Sequence, residues 1–272
     1  MNILDEIITQ KHKEVAERRE LYPVKLLEKS LYFETKCLSL EQYLLRPDKS
    51  GIIAEIKRRS PSKGAINPYV SVERTSIGYM QAGASALSIL TDTNYFGGKN
   101  EDLLTARKFN YCPILRKDFM VDEYQVVEAK SIGADVILLI AAALEPARLK
   151  ELAAFARSLG MEVLLEVHDL NELQTSMNEF VTVVGVNNRN LKTFKTDVGL
   201  SFELANHIPV GITKISESGL SQPQTLVDLQ EAGYNGFLIG ESFMTSSRPE
   251  QAAAKFIKEL RALQAKKKEA VA

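Results

Sequence analysis

The chain is poor in the residues that crosslink a fold or hold a metal. Cysteine occurs twice, at Cys37 and Cys112, and histidine three times, at His12, His168 and His207. Two cysteines cannot build a disulfide framework, and with no secretory signal they point to reduced thiols and a cytoplasmic location. The histidines lack ligand spacing, which argues against a histidine-based metal site. Neither charge sign prevails: 34 Lys and Arg stand against 35 Asp and Glu, a net charge of −1. Broad nucleic-acid binding needs a basic face and is disfavoured, so any anionic ligand must be met by local positive charge. Long apolar runs are missing too. The longest, Val136 to Leu144, is about half of a membrane span. Residues 1–20 carry charges throughout and have no apolar signal-peptide segment. No GxxxxGK[ST] occurs, which excludes a P-loop, and no low-complexity linker divides the chain.

What is there is an ordinary globular profile, 45% hydrophobic and 25% charged over 272 residues. That length is close to the ~250 residues of a (β/α)8 barrel. At ~150 residues per domain two domains would be expected, but barrels commonly exceed that as one. Residues 2–19 carry Leu4, Ile7, Ile8 and Val15 at helical spacing, and 24–46 reads as a second helical stretch broken before Leu40. From Gly51 on, β-type runs at 51–57, 85–91, 113–118, 135–141, 162–167, 181–188, 212–217 and 236–240 alternate with helical stretches. These helices fall near 71–82, 100–109, 122–132, 146–158, 170–178, 200–206, 222–232 and 249–263. The phrases QAGASALSI, SIGADVILL, SLGMEVLLE and EAGYNGFLI each place a Gly at a helix end just before a strand, the position that tolerates positive φ. Strict alternation implies a parallel sheet, and eight units imply closure, because an open sheet would leave edges. The expected architecture is a single (β/α)8 TIM barrel of the α/β class over residues 49–264, with a helical extension at 1–48 packed on it and a disordered tail at 265–272.

Barrel chemistry gathers at the C-terminal ends of the strands. The first strand ends Glu55-Ile56-Lys57-Arg58-Arg59-Ser60. Period-two alternation with Ala54 and Ile56 against the helices turns Glu55 and Lys57 into the barrel mouth. Lys117, Glu166 and Asn187 end later strands and Glu241 follows the last, so five of the eight ends carry inward-capable Glu, Lys or Asn. Burying so many charges without a ligand costs several kcal/mol per ion unless they pair closely. A polar ligand site is therefore favoured over an internal salt bridge. Ser218-Gly219 and Gly240-Glu241 follow the last two strands, where barrels bind phosphate and glycine lets it approach the backbone.

The segments EIKRRSPSKG (55–64), LTDTNYFGG (90–98), LRKDFMVDEYQVVEAKSIGADVILLI (115–140), LLEVHD (164–169), GVNNRNL (185–191), ISESGL (215–220) and FLIGESFM (237–244) resemble indole-3-glycerol phosphate synthase, a family of tryptophan biosynthesis. The resemblance spans residues 48–260, and the helical extension is also typical of the family. It implies conversion of 1-(2-carboxyphenylamino)-1-deoxyribulose 5-phosphate to indole-3-glycerol phosphate, CO2 and water. It implies no metal or organic cofactor, a small-molecule substrate, and no nucleic-acid or membrane partner. With no second barrel in view, the monofunctional form is expected, as a monomer or a weak dimer.

By the same resemblance, Lys117 is the general acid that protonates the ribulose ketone and polarises it. Lys57 lies near carboxylate and phosphate and assists at the departing hydroxyl. Glu166 is the acid-base partner, Glu55 and Asn187 orient these groups, and Ser218 fixes the substrate near its phosphate end. Ser60, Arg189, Gly219, Gly240 and Glu241 are expected to contact substrate, with Phe96, Phe119 and Leu191 forming the aryl slot. Glu217 belongs to the family motif, but strand parity turns it outward. Arg58 is either a substrate contact or a surface charge, and His168 is taken as structural. Glu241 departs from the small residue often found there, and a carboxylate beside a phosphate would repel it unless the side chain swings away. Two other readings stay open. A phosphosugar isomerase barrel would centre on a carboxylate or Cys/Asp pair rather than two lysines. A non-catalytic phosphate binder would keep Gly219 and Gly240 without needing Lys117, Glu166 and Asn187 together.

Overall fold

The computed structural model describes residues 3–191 and 193–271, the side chains of 270 and 271 excepted. Eight parallel strands close into a barrel: β1 (Ile52–Ile56), β2 (Ala86–Leu90), β3 (Ile114–Lys117), β4 (Val136–Ile140), β5 (Glu162–Val167), β6 (Val183–Asn187), β7 (Thr213–Glu217) and β8 (Gly236–Ile239). Each pairs with its neighbour in sequence, and β8 closes on β1 with Ile52 opposite Phe237 and Ala54 opposite Ile239. Closure leaves no barrel edge unpaired. Every expected barrel strand, and every expected helix between two of them, is present with small shifts at the ends. Local chemistry sets those ends. Asp122 and Gln125 form a capping box that starts the helix Glu123–Ser131. Gly83, at φ 103°, ends the helix Val72–Ala82, a conformation that would strain any residue with a Cβ.

Alternation sorts the side chains. Ile53, Leu115, Leu138, Leu164, Ile215 and Leu238 fill the barrel interior, whereas Ile52, Ala54, Ile56, Leu87 and Ile89 pack outward into the core beneath the helices. The interior is closed at its N-terminal end by Leu40 and Leu44, both buried, from the short helix Leu40–Leu44. Burial of each contributes about 1.5–3 kcal/mol. The carboxylate of Glu162, at the start of β5, accepts from the backbone N–H groups of Leu40 (2.8 Å) and Glu41 (3.2 Å), fixing this plug to the floor.

The extension spans the barrel from mouth to floor. Its helix Ile3–Leu21 buries Leu4, Ile7, Lys11 and Val15 on one face. Residues 24–46 are not one broken helix. Only Val24–Leu27 and Leu40–Leu44 are helical, because the intervening chain must run down the side of the barrel past Lys130, whose ammonium bonds Thr35 O at 2.6 Å. The end of the chain also differs from expectation. The last helix runs Pro249–Val271 rather than stopping near 263, in keeping with the high helix propensity of its Ala, Lys and Glu residues. Most of the expected tail is therefore helical, with Lys267 paired to Glu231, while Ala272 lies outside the described residues. A small antiparallel hairpin, Arg59–Ser60 with Gly64–Ala65, follows β1 and was not read from the sequence. No described helix is long and apolar enough to cross a membrane.

Candidate active site

A cavity of about 640 Å³ opens at the C-terminal end of the barrel, and all the expected site residues except Arg58 line it. The strands deliver its charges by position. β1 brings Glu55 and, just beyond it, Lys57, β3 brings Lys117, β5 Glu166, β6 Asn187 and β7 Glu217. Lys117 Nζ lies 2.7 Å from Glu166 Oε2 and 3.1 Å from Glu217 Oε2. Asn187 Nδ2 donates to the other Glu166 oxygen at 3.0 Å, and Lys57 pairs with Glu55 at 2.7 Å. These groups converge although their positions run from 55 to 217 in the chain.

Electrostatics separates their roles. Burial alone would lower the Lys117 pKa, but Glu166, Glu217 and Glu55 overcome it and hold the ammonium well above the ordinary lysine range. Burial would raise Glu166, yet Lys117 and His168 hold it well below the usual carboxylate range. Glu217 goes the other way. Burial, then repulsion from Glu166 and Glu55, outweighs Lys117 and lifts its carboxyl to about 7. Three carboxylates around one ammonium cannot all ionise as they would in water.

Glu217 corrects the sequence reading. It faces into the barrel and is buried, with Ile215 on the same face. The expected parity assumed that apolar positions pack against helices. On β7 the outward positions are instead polar: Lys214 Nζ bonds Ala205 O at 2.6 Å, and Ser216 Oγ meets Ser201 Oγ at 2.7 Å.

His168 stands behind Glu166 and outside the cavity lining. Its Nε2 is 3.3 Å from Glu166 Oε1, and its Nδ1 is 3.1 Å from Glu172 Oε2. Burial would lower its pKa, but these two carboxylates raise it to about 10, so the ring is a cation at neutral pH.

One side of the cavity is apolar. The rings of Phe96 and Phe119 lie 6.0 Å apart at 39°. Leu191 joins them, and so do Leu4 and Ile7 of the N-terminal helix, which the sequence reading did not place in the site. Their helical spacing marked a buried face but not its partner. The opposite end carries the two glycines. A Cβ at Gly219, whose φ is 76°, would lie 2.6 Å from Thr196 Cγ2, and one at Gly240 would strike the Glu55 carboxylate. Ser218 adopts φ 68°, a left-handed conformation that costs a non-glycine residue about 1–3 kcal/mol.

Over the mouth, Glu241 is turned onto cations. Its carboxylate meets Arg189 Nη2 at 3.1 Å and Lys63 Nζ at 3.5 Å, while Ser60 Oγ and Ser62 Oγ approach to 3.3 Å in the neighbouring hairpin. Arg58 is not brought to the cavity. Its guanidinium clamps Asp102, with Nη2 2.9 Å from Oδ1, and so fixes the root of the hairpin instead.

Comparison with known proteins identifies the family. The family model described as indole-3-glycerol phosphate synthase matches residues 4–260. The indole-3-glycerol phosphate synthase of Bacteroides thetaiotaomicron is 47% identical over 257 residues, covering 94% of this chain and 98% of that one. The Magnetococcus marinus enzyme of the same name is 46% identical over 267 residues, with 94% and 98% covered. Among solved structures, one from the tryptophan synthase α2β2 complex of Pyrococcus furiosus superposes with a TM-score of 0.59 at 16% identity, covering 79% of this chain and 99% of that one, a likeness of fold alone. The chain thus belongs to the indole-3-glycerol phosphate synthase family.

Proposed function

We propose that this cavity closes the indole ring of 1-(2-carboxyphenylamino)-1-deoxyribulose 5-phosphate, with loss of CO2 and water. The observation that carries the reading is the Lys117 ammonium held between Glu166 and Glu217 at 2.7 and 3.1 Å, beside an aromatic slot. The aryl ring packs against the wall that Phe96 and Phe119 form, and the phosphate sits toward Ser218, Gly219 and Gly240. The ribulose ketone then faces Lys117. As the ring carbon attacks, negative charge develops on the ketone oxygen, and a fixed ammonium stabilises it more there than in the ground state. The nascent alkoxide is more basic than a lysine, so Lys117 gives up its proton although its carboxylate partners hold it strongly.

CO2 leaves the quaternary ring carbon, and its bonding electrons re-form the aromatic ring. Dehydration follows: the hydroxyl departs as water, the adjacent ring methylene gives up a proton, and the electrons of that C–H bond form the C=C bond of the indole, whose N–H is retained. Lys57, paired with Glu55, assists the departing hydroxyl. Glu166, kept ionised by Lys117 and His168 and oriented by Asn187, accepts the proton. Glu217, with its carboxyl near 7, can hold or release a proton at neutral pH and joins Glu166 in the acid-base work. Arg189 takes the substrate carboxylate once it leaves Glu241, an ion-pair geometry its fork suits. A cytoplasmic monomer is part of the same reading. The purified protein incubated with this substrate should develop indole fluorescence. No product at saturating substrate, from folded protein, would overturn the proposal.

A further inference from the structure

Lys11 is out of place. It occupies the face of the helix Ile3–Leu21 that also carries Leu4, Ile7 and Val15, and only 4% of it is exposed. A methionine would fill such a position at no electrostatic cost, whereas a buried ion must be offset by close pairing. Its ammonium has that pairing. Nζ lies 2.7 Å from Glu14 Oε2, 2.8 Å from Asp92 Oδ2 and 3.0 Å from Asp118 Oδ1.

The two aspartates have second contacts that lead to the cavity. Asp92 Oδ1 accepts from the backbone N–H groups of Tyr95 (2.7 Å) and Phe96 (3.1 Å), fixing the turn that presents the Phe96 ring. Asp118 Oδ1 accepts from the N–H of Phe119 at 2.9 Å, fixing the turn that presents the opposing ring. Arg116, at 3.2 Å, and Thr91, at 2.6 Å, hold the other Asp118 oxygen. One ammonium therefore joins three separate elements: the helix whose Leu4 and Ile7 line the cavity, the loop after β2 and the end of β3.

We propose that Lys11 is a positioning residue for the aryl half of the substrate: it sets the spacing of the Phe96 and Phe119 walls and seats the N-terminal helix against them. This rests on the proposed aryl slot but not on any catalytic step. The geometry concerns ground-state and transition-state binding alike, so its loss should move KM and leave kcat nearly untouched.

The test compares Lys11→Met and Lys11→Arg with the wild-type chain. Steady-state turnover of the carboxyphenylamino-deoxyribulose phosphate is measured first, then calorimetric affinity for two half-ligands, anthranilate and ribulose 5-phosphate. For Lys11→Met we expect KM and the anthranilate Kd to rise about tenfold, equivalent to about 1.4 kcal/mol. The ribulose 5-phosphate Kd should stay within twofold, and Lys11→Arg should recover most of the loss. Because Lys11→Met removes the cation between Asp92 and Asp118 and leaves Asp92 without its ammonium partner, a second variant, Lys11→Met with Asp92→Asn, guards against a folding defect. The amide oxygen that Asp92→Asn leaves in place can still accept from Tyr95 and Phe96, and Asp118 keeps Arg116. The double variant should show the same selective loss. Unchanged anthranilate affinity in both variants overturns the proposal, as does an equal loss for ribulose 5-phosphate. A wild-type chain that binds anthranilate but turns nothing over would instead defeat the functional reading, with the anthranilate comparison still deciding the role of Lys11.

Discussion

Replacing Glu217 by glutamine removes one carboxylate from the barrel mouth and should change how stability depends on pH. In the folded chain burial and the neighbouring carboxylates raise the Glu217 carboxyl from 4.5 to about 7. The folded state therefore binds this proton more tightly than the unfolded state. The sign follows from linkage: stability falls as pH rises from about 4.5 to about 7 and then levels off. The full drop is about 3 kcal/mol, at 1.36 kcal/mol per pH unit of pKa difference. Between pH 5.5 and pH 8.5 about 2 kcal/mol of it should appear. Urea unfolding of both chains at these two pH values, analysed as a difference, cancels every group that titrates alike in the two. The glutamine variant should gain about 2 kcal/mol on the wild-type chain between them. Parallel pH dependences for the two chains would show that Glu217 is not forced toward neutrality, and the charge layout assigned to the site would be wrong.

Other predictions address the two ends of the cavity. Gly219→Asp places a carboxylate at a backbone φ of 76° against Thr196. It should weaken the binding of inorganic phosphate, followed by calorimetry, by at least about tenfold, the scale of one charge-assisted hydrogen bond lost; unchanged binding would move the phosphate site elsewhere. Glu241→Ser frees Arg189 and Lys63 from their carboxylate. Since the pair is partly exposed, KM should fall by only about threefold, and a rise in KM would show that Glu241 assists binding.

Much of this was legible in the sequence because barrel periodicity is simple. The alternation of short apolar runs with helices fixed eight strands and their order, and once Ala54 and Ile56 faced the helices, Glu55 and Lys57 had to face the mouth. The failures have physical causes. Strand parity misdirects Glu217 because Lys214 and Ser216 are polar yet face the helix layer, where side-chain and backbone partners satisfy them. Arg58 is ambiguous in the sequence because nothing in its linear context announces its pairing with Asp102, 44 residues away. The same holds for Lys11, whose partner Asp92 is 81 residues distant. Helical spacing predicts a buried face but assumes apolar residues on it, so a charge in that stripe goes unread. A lysine-rich end reads as a disordered tail, whereas here it continues a helix already nucleated by packing.

The most direct test of the account is the turnover of Lys117→Met with the carboxyphenylamino-deoxyribulose phosphate. Removing the ammonium should lower kcat by at least about 10²-fold, the scale of lost general acid catalysis. Circular dichroism should show the fold intact. A Lys117→Met chain that closes the indole ring at the wild-type rate would contradict the claim that this ammonium, held between Glu166 and Glu217, drives the reaction.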